Sequence, residues 1–181
     1  MESQNFARVL RFAAILLPLG AAARPALGQS QRAATAHAFG VSVSTALVNQ
    51  KSPSATAPAE GGMVQTDADD VSITALVSAR DAYALASGWS DDGYSDAVSS
   101  ASLGQVNVLN GLITANAVLA MATTTGEGSD GFGSSFANLV VKGVSLSDPG
   151  VNTRVDLPGV GYVVVNEQIT TGSGITVNMI H

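Results

Sequence analysis

Apolar and polar residues alternate along the last third of the chain, most clearly from Asn152 to Gln168 and from Gly174 to His181. A period of two places successive side chains on opposite faces of an extended strand, whereas a helix needs a period of 3.6 residues. The pattern therefore restricts this third of the chain to β-structure. The same stretch contains no recognisable set of catalytic residues.

Alternating segments also occur earlier in the chain, between turn-forming residues. The predicted strands cover residues 37–48, 71–79, 80–88, 98–109, 112–125, 135–141, 144–146, 153–157, 162–170 and 175–180. Residues 80–88 and 112–125 would also suit a helix, because they are rich in Ala and Leu, but the odd-numbered apolar face of 112–125 favours a strand. Residues 49–62 contain Pro53 and Pro58 and are predicted to form a surface loop.

Turn signals recur at the spacing that is typical of an all-β domain. Asn110-Gly111 lies between two apolar runs and predicts a hairpin, because both residues tolerate a positive φ angle. Residues 126–134 are predicted to be a glycine-rich loop, and Lys142-Gly143 a turn. We therefore expect a single all-β domain over residues 37–181, a mainly antiparallel β-sandwich of nine or ten strands. The alternative is a β-solenoid or roll.

The N-terminus resembles an export signal. Arg8 and Arg11 precede a short apolar run from Phe12 to Ala23, which is too short to span a membrane as a helix. Small residues at 26 and 28 predict cleavage before Gln29, with a cut after residue 23 as the alternative. Residues 1–28 are thus predicted to be a signal peptide, with an interfacial N-terminal helix that is not removed as the alternative, and residues 29–36 a disordered lead-in.

Removal of the signal leaves five basic residues against thirteen acidic ones, a formal charge of −8. Such a surface repels phosphate backbones, so we expect no nucleic-acid partner. The chain contains no cysteine, which excludes thiol catalysis and thiolate metal sites. We expect a secreted or cell-surface protein that has no transmembrane segment in its mature chain and is held together by packing and backbone hydrogen bonds.

The residues that could support catalysis are few. The chain has two histidines, His37 and His181, one near the start of the predicted domain and one at its end. No Gly-x-Ser-x-Gly motif accompanies them. A hydrolase with paired carboxylates, such as Asp92 with Asp130 or Glu167, is the weakest of the functional alternatives, and we predict that the protein is not an enzyme.

Acidic side chains occur in two clusters, residues 67–70 and residues 91–96. Clustered carboxylates can bind calcium, which takes six to eight oxygen ligands. Neither cluster has the spacing of a helix–loop–helix calcium site, and the loop 126–132 matches only one imperfect copy of a glycine–aspartate calcium repeat. We therefore predict solvated turns without a metal ion or cofactor, with calcium as the alternative.

Aromatic residues lie beside the second acidic cluster. Aromatic rings next to carboxylates can bind a sugar, but a tryptophan in a sandwich more commonly belongs to the core. If the protein binds a small ligand, we expect the site to consist of Trp89, Asp91, Asp92, Tyr94 and Asp96.

Five segments carry a family resemblance: residues 38–43, 106–115, 136–141, 152–168 and 174–181. They resemble the choice-of-anchor P family of bacterial exported surface proteins. The resemblance implies an exported surface ectodomain and implies no mechanism. Families of this kind vary in how the C-terminus is attached to the envelope, and no sorting motif or apolar tail precedes the end of this chain. We therefore expect release, non-covalent retention, or an anchor that the sequence does not include.

These expectations converge on an exported, non-catalytic protein with a structural or adhesive binding role. Its weakly charged strands suit self-association or binding of cell-envelope components by edge pairing. A carbohydrate-binding module, with glycans as partners, is the alternative.

Overall fold

The computed structural model describes residues 34–74, 76–91 and 93–181. These residues form strands and turns, without a helix. The strands are β1 (His37–Ser44), β2 (Asn49–Thr56), β3 (Gly62–Ile73), β4 (Val77–Asp91), β5 (Tyr94–Val108), β6 (Ile113–Thr125), β7 (Gly128–Asp130), β8 (Ser135–Ala137), β9 (Leu139–Val141), β10 (Val144–Leu146), β11 (Thr153–Leu157), β12 (Gly161–Thr171) and β13 (Gly174–Ile180).

An eight-stranded sheet forms one layer of the fold. Its order is β10-β9-β6-β5-β4-β3, and the short strands β7 and β8 also pair with β6. The four long strands β3 to β6 are consecutive in sequence and joined by tight turns, so each pairs with its neighbour in antiparallel orientation. We call this layer the long sheet.

Each long strand changes phase near its middle. In β3 the inward-facing positions are even-numbered up to Ala68 and odd-numbered from Val71 onward. The pairing of β4 with β5 shifts register at the same level, where Asp81 and Gln105 have φ angles of 47° and 46°. Such irregularities are β-bulges, which bend a sheet. Inward and outward side chains therefore alternate on both sides of the bend, but the set of inward positions shifts by one residue across it.

Two smaller sheets cover the inner face of the long sheet. The hairpin β1–β2 packs on β3, β4 and β5, and its alanines form a small cluster with those of β4 and β5. The sheet β11-β12-β13 lies on β6 and β7. A second, larger core cluster joins all three sheets, with Ile73, Leu139, Val141 and Val165 as its most deeply buried large side chains.

The predicted all-β, antiparallel fold is confirmed. Two layers of sheet face each other as in a sandwich, and the sheets do not close into a barrel. Every strand pair among the described residues is antiparallel. The parallel coils of the alternative, a β-solenoid, are therefore not the architecture of this region.

Three local predictions are wrong. Residues 49–56 form the strand β2 and not a loop; β2 is an edge strand, where a proline costs no ladder hydrogen bond. Residues 71–79 are not one strand, because β3 ends at Ile73, β4 begins at Val77, and Thr74 adopts a φ angle of 51° where the chain reverses. Residues 135–141 are β8 and β9, which Asn138 separates with a φ angle of 52°.

The hairpin at Asn110-Gly111 is confirmed. It connects β5 to β6 through residues 109–112, three of which have positive φ angles: Leu109, Asn110 and Gly111. The Gly111 N–H donates to the side chain of Asn107 over 2.7 Å. The turn is thus longer than the predicted two-residue form. The predicted loop 126–134 contains the short strand β7.

The predicted signal peptide lies outside the described residues, as does most of the predicted lead-in 29–36. Of the lead-in, residues 34–36 are described: Ala36 is buried, and its carbonyl accepts a hydrogen bond from Ala57 N–H over 3.0 Å. In the described part of the chain, no helix has the length and apolar character that crossing a membrane requires.

Candidate functional site

The hairpin between β4 and β5 brings four of the five predicted site residues together. Trp89 lies directly opposite Asp96, and Asp91 directly opposite Tyr94. Directly opposite residues share a face of the sheet, and so do residues two apart on one strand. All four side chains therefore project from the outer face of the long sheet, away from the two smaller sheets. Asp92 lies outside the described residues.

The two aromatic rings of this hairpin are exposed to solvent. The exposed fraction is 60% for Trp89 and 73% for Tyr94. The expectation that Trp89 belongs to the core is therefore wrong: its position faces outward, because the inward positions of β4 are the even-numbered Ala84 and Ala86. Two exposed rings beside two carboxylates can stack on a flat apolar surface and accept hydrogen bonds from hydroxyl groups.

The remaining predicted candidates do not converge. His37 Nδ1 lies 3.1 Å from Thr56 Oγ1 on β2, whereas His181 Nδ1 lies 2.7 Å from Glu167 Oε2 on β12. Asp130 accepts a hydrogen bond from Phe132 N–H over 2.9 Å within its own loop. Among the described residues, no three His, Asp or Glu side chains lie close enough together to hold a metal ion.

A second candidate site is a groove between β1 and β13, which sequence analysis did not find. The two strands belong to different sheets, and each is an end strand among the residues that the structure describes, where β1 pairs only with β2 and β13 only with β12. The groove has a volume of about 660 Å³, its walls are β1 and β13, and its floor is the inner face of β5 and β6. Two strand edges therefore border one open cleft.

The floor of the groove is incompletely covered. Ala84 and Ala86 on β4 are fully buried under β1 and β2. Their direct partners on β5, Ala101 and Ser99, share the same face but are only half-buried. The corresponding positions of β6, Ala120 and Ala122, are half-buried as well. The covering layer of the sandwich is thus interrupted above β5 and β6.

The edges that border the groove differ in chemistry from the outer edges of the fold. An unpaired strand edge presents free N–H and C=O groups, and proteins commonly protect it with charged residues or proline. Three of the outer edge strands follow this rule, with Asp67, Asp69 and Asp70 on β3, Lys51 and Pro53 on β2, and Arg154 and Asp156 on β11; the three-residue strand β10 has no such residue, but it is too short to offer a long edge. Neither β1 nor β13 contains Asp, Glu, Lys, Arg or Pro.

The groove as a whole is uncharged. Of the described residues that line it, none is Asp, Glu, Lys or Arg, and the titratable ones are His37 and His181. The absence of charge in the segments 37–44 and 174–180 is visible in the sequence. That they border the same cleft is not visible there, because about 130 residues separate them along the chain. No protein-family model matches this chain, and neither a curated protein nor a solved structure shows significant similarity to it.

Proposed function

We propose that this chain is an exported, non-catalytic adhesive protein, acting at the cell surface or after secretion, that binds other polypeptides through the strand edges bordering the groove. One observation carries the proposal: the uncharged strands β1 and β13 border the same open cleft, whereas the edge strands β2, β3 and β11 carry charges or proline. Added strands bind through main-chain hydrogen bonds, so an unprotected edge is the chemical requirement for this mode of binding.

Adhesion can be tested with beads that carry the purified chain at high density. We expect these beads to cluster or to bind envelope preparations, and the double variant Ser42→Lys with Thr176→Lys to lose most of this binding. Both residues are exposed and lie on the groove strands, so the added charges oppose an incoming strand without disturbing the core.

The matched control is Gln50→Lys with Ser72→Lys, which adds the same charge to exposed positions on the outer strands β2 and β3. It should bind like the parent chain. Equal loss in both double variants would mean that net charge, and not the groove edges, governs adhesion. Beads of the parent chain that neither cluster nor bind envelope material would refute the proposed function.

Export is part of the proposed function and is tested separately. Expression of the full chain with a C-terminal tag should yield, outside the cytoplasm, a form whose N-terminal residue is Gln29. An uncleaved chain recovered only from the cytoplasm would contradict this part of the proposal.

Carbohydrate binding is the second candidate, and the outer face of the β4–β5 hairpin favours it. Two exposed aromatic rings and two carboxylates share one surface there. Trp89→Ala should abolish any binding to a glycan array while leaving the thermal midpoint unchanged, because the ring contributes little to the core. Phe132→Ala is the control, since Phe132 is 89% exposed and lies outside the hairpin. Absence of glycan binding by the parent chain would exclude this candidate.

A further inference from the structure

The direction of β1 follows from the residues that it contacts. We call the end of the long sheet at the β4–β5 hairpin the hairpin end, and the end where Ile73, Val77, Val108 and Ile113 pair the far end. Ala38, near the start of β1, clusters with Ala86 and Ala97 at the hairpin end. Val43, near the end of β1, belongs to the cluster of Ile73, at the far end. The strand therefore runs from the hairpin end to the far end.

The strand β13 runs in the same direction. Gly174, its first residue, lies beside Thr124, whose partner Ala97 is at the hairpin end. Met179, near its last residue, packs in the cluster that contains Ile73 and Ile113, at the far end. The two walls of the groove are thus parallel to each other, although every strand pair in the described chain is antiparallel.

Two parallel strands cannot be neighbours in an antiparallel sheet, but a single strand between them can be antiparallel to both. The lateral positions leave room for one. The lateral distance between β1 and β13 can be measured in strand spacings of the long sheet, because β1 lies over β4 and β5, and β13 lies over β6 and β7. At about 4.8 Å per strand, the two walls are about two strand spacings apart.

We propose that the groove accepts one strand of a partner polypeptide, antiparallel to both β1 and β13, which joins the two smaller sheets into a continuous six-stranded layer. The order of that layer is β2-β1-guest-β13-β12-β11. This inference rests on the proposed function, in which the groove edges bind polypeptides, and it specifies the direction, number and chemistry of the bound strand.

The groove also constrains the sequence of the guest. The lining offers no charged side chain for charge complementarity, because the side chains of the described residues around the groove include no carboxylate, ammonium or guanidinium group. The inward-facing side chains of the guest are therefore uncharged over the seven or eight residues that match β13 and β1 in length. Its inward side chains meet small floor residues, including Ser99, Ala101, Ala120 and Ala122, which leave space for branched aliphatic groups such as valine.

A fused strand tests this geometry and does not require the natural partner. Strand β13 ends at the far end, where an antiparallel guest must begin, so an Asn-Gly turn after His181 can lead directly into the groove. The fused strand alternates Val and Thr over about eight residues, the length of an average strand or slightly more. The control fusion carries Lys in place of each Val.

We expect the Val/Thr fusion to raise the thermal midpoint by at least about 4 °C, and the Lys fusion to leave it unchanged. Amide hydrogen exchange is the decisive readout. A strand that bridges the groove slows exchange in both β13 and β1 by at least about tenfold, whereas a hairpin that extends β13 alone protects only β13. Protection confined to β13, equal behaviour of the two fusions, or no protection at all would overturn the inference.

A third fusion tests the direction of the guest strand. In it, a flexible Gly/Ser linker of about 12 residues leads from His181 back to the hairpin end, so that the same Val/Thr strand enters the groove there and runs parallel to β1 and β13. It should protect β1 less than the short-turn fusion, and greater protection would overturn the antiparallel assignment. The bead assay separates this inference from the proposed function. If the short-turn fusion protects β1 from exchange but beads of the parent chain show no adhesion, the proposed function is refuted and the inference is not. If the parent chain adheres and the short-turn fusion adheres equally well, the inference is refuted and the proposed function is not.

Discussion

Gly40, in the middle of β1, tests how closely β1 packs against its partner strand β2 and against Leu103 of the long sheet. A methyl group at this position would lie 2.8 Å from Pro53 Cδ, 3.0 Å from Leu103 Cδ2 and 3.1 Å from Ser52 O. The first contact is with a rigid ring and the third with the backbone, so neither can move without displacing β2. Only the Leu103 side chain can move away from the added methyl group, by rotating about its own bonds. We therefore expect Gly40→Ala to destabilise the fold.

The magnitude combines two opposing effects. Inserting a methylene into a packed site costs about 1–3 kcal/mol, because side chains and backbone must shift. Replacing glycine by alanine restricts the unfolded chain and stabilises the fold by about 0.4–1 kcal/mol. The net loss is about 1–2 kcal/mol, which corresponds to a decrease of about 2–8 °C in thermal midpoint for a domain of this size.

Thermal and urea unfolding followed by circular dichroism measure this loss. Gly126→Ala is the matched control, because nothing lies within 4 Å of a methyl group at position 126. The control should be neutral or slightly stabilising. If Gly40→Ala unfolds at the same temperature as Gly126→Ala, then β1 does not pack against Pro53 and Leu103 in this way, and the walls of the groove are placed incorrectly.

Two further substitutions test the core and the C-terminal sheet. Val165 is fully buried in the large core cluster, so Val165→Ala should cost about 2–3 kcal/mol in urea unfolding, whereas Ile169→Ala, at a position 47% exposed, should cost less than half as much. Glu167 accepts hydrogen bonds from Asn178 over 2.8 Å and from His181. Glu167→Ala should therefore cost about 1 kcal/mol and loosen the end of β13, with faster amide exchange at residues 178–181; unchanged exchange there would contradict this role.

The alternating pattern was sufficient to predict the strands of the C-terminal sheet, and β11, with bounds of Thr153 and Leu157, agrees with its predicted range. Alternation is a local property of extended backbone with one buried face, so it can be read from neighbouring residues. The hairpin at Asn110-Gly111 was predictable for the same reason, because tolerance of positive φ angles belongs to the residues themselves.

One error arose where a turn lacks the usual residues. Thr74 reverses the chain between β3 and β4 with a φ angle of 51°, and neither Gly nor Asn marks the position. An apolar–polar alternation that continues through a turn cannot be distinguished from one strand by its pattern alone. Pro53 caused the opposite error, in which the strand β2 was predicted to be a loop. Proline is tolerated in an edge strand, but whether a strand lies at an edge depends on the whole sheet and not on neighbouring residues.

Sequence alone therefore determined the class of fold, the acidic and cysteine-free composition, and the grouping of aromatic and acidic residues on the β4–β5 hairpin, since these residues are close along the chain. The groove was decided only by the tertiary structure. Its walls come from the two ends of the described chain, and their common direction depends on how both smaller sheets dock on the long sheet. The groove is a property of the assembled layer, because the strands that border it, β1 and β13, are distant in sequence and belong to different sheets.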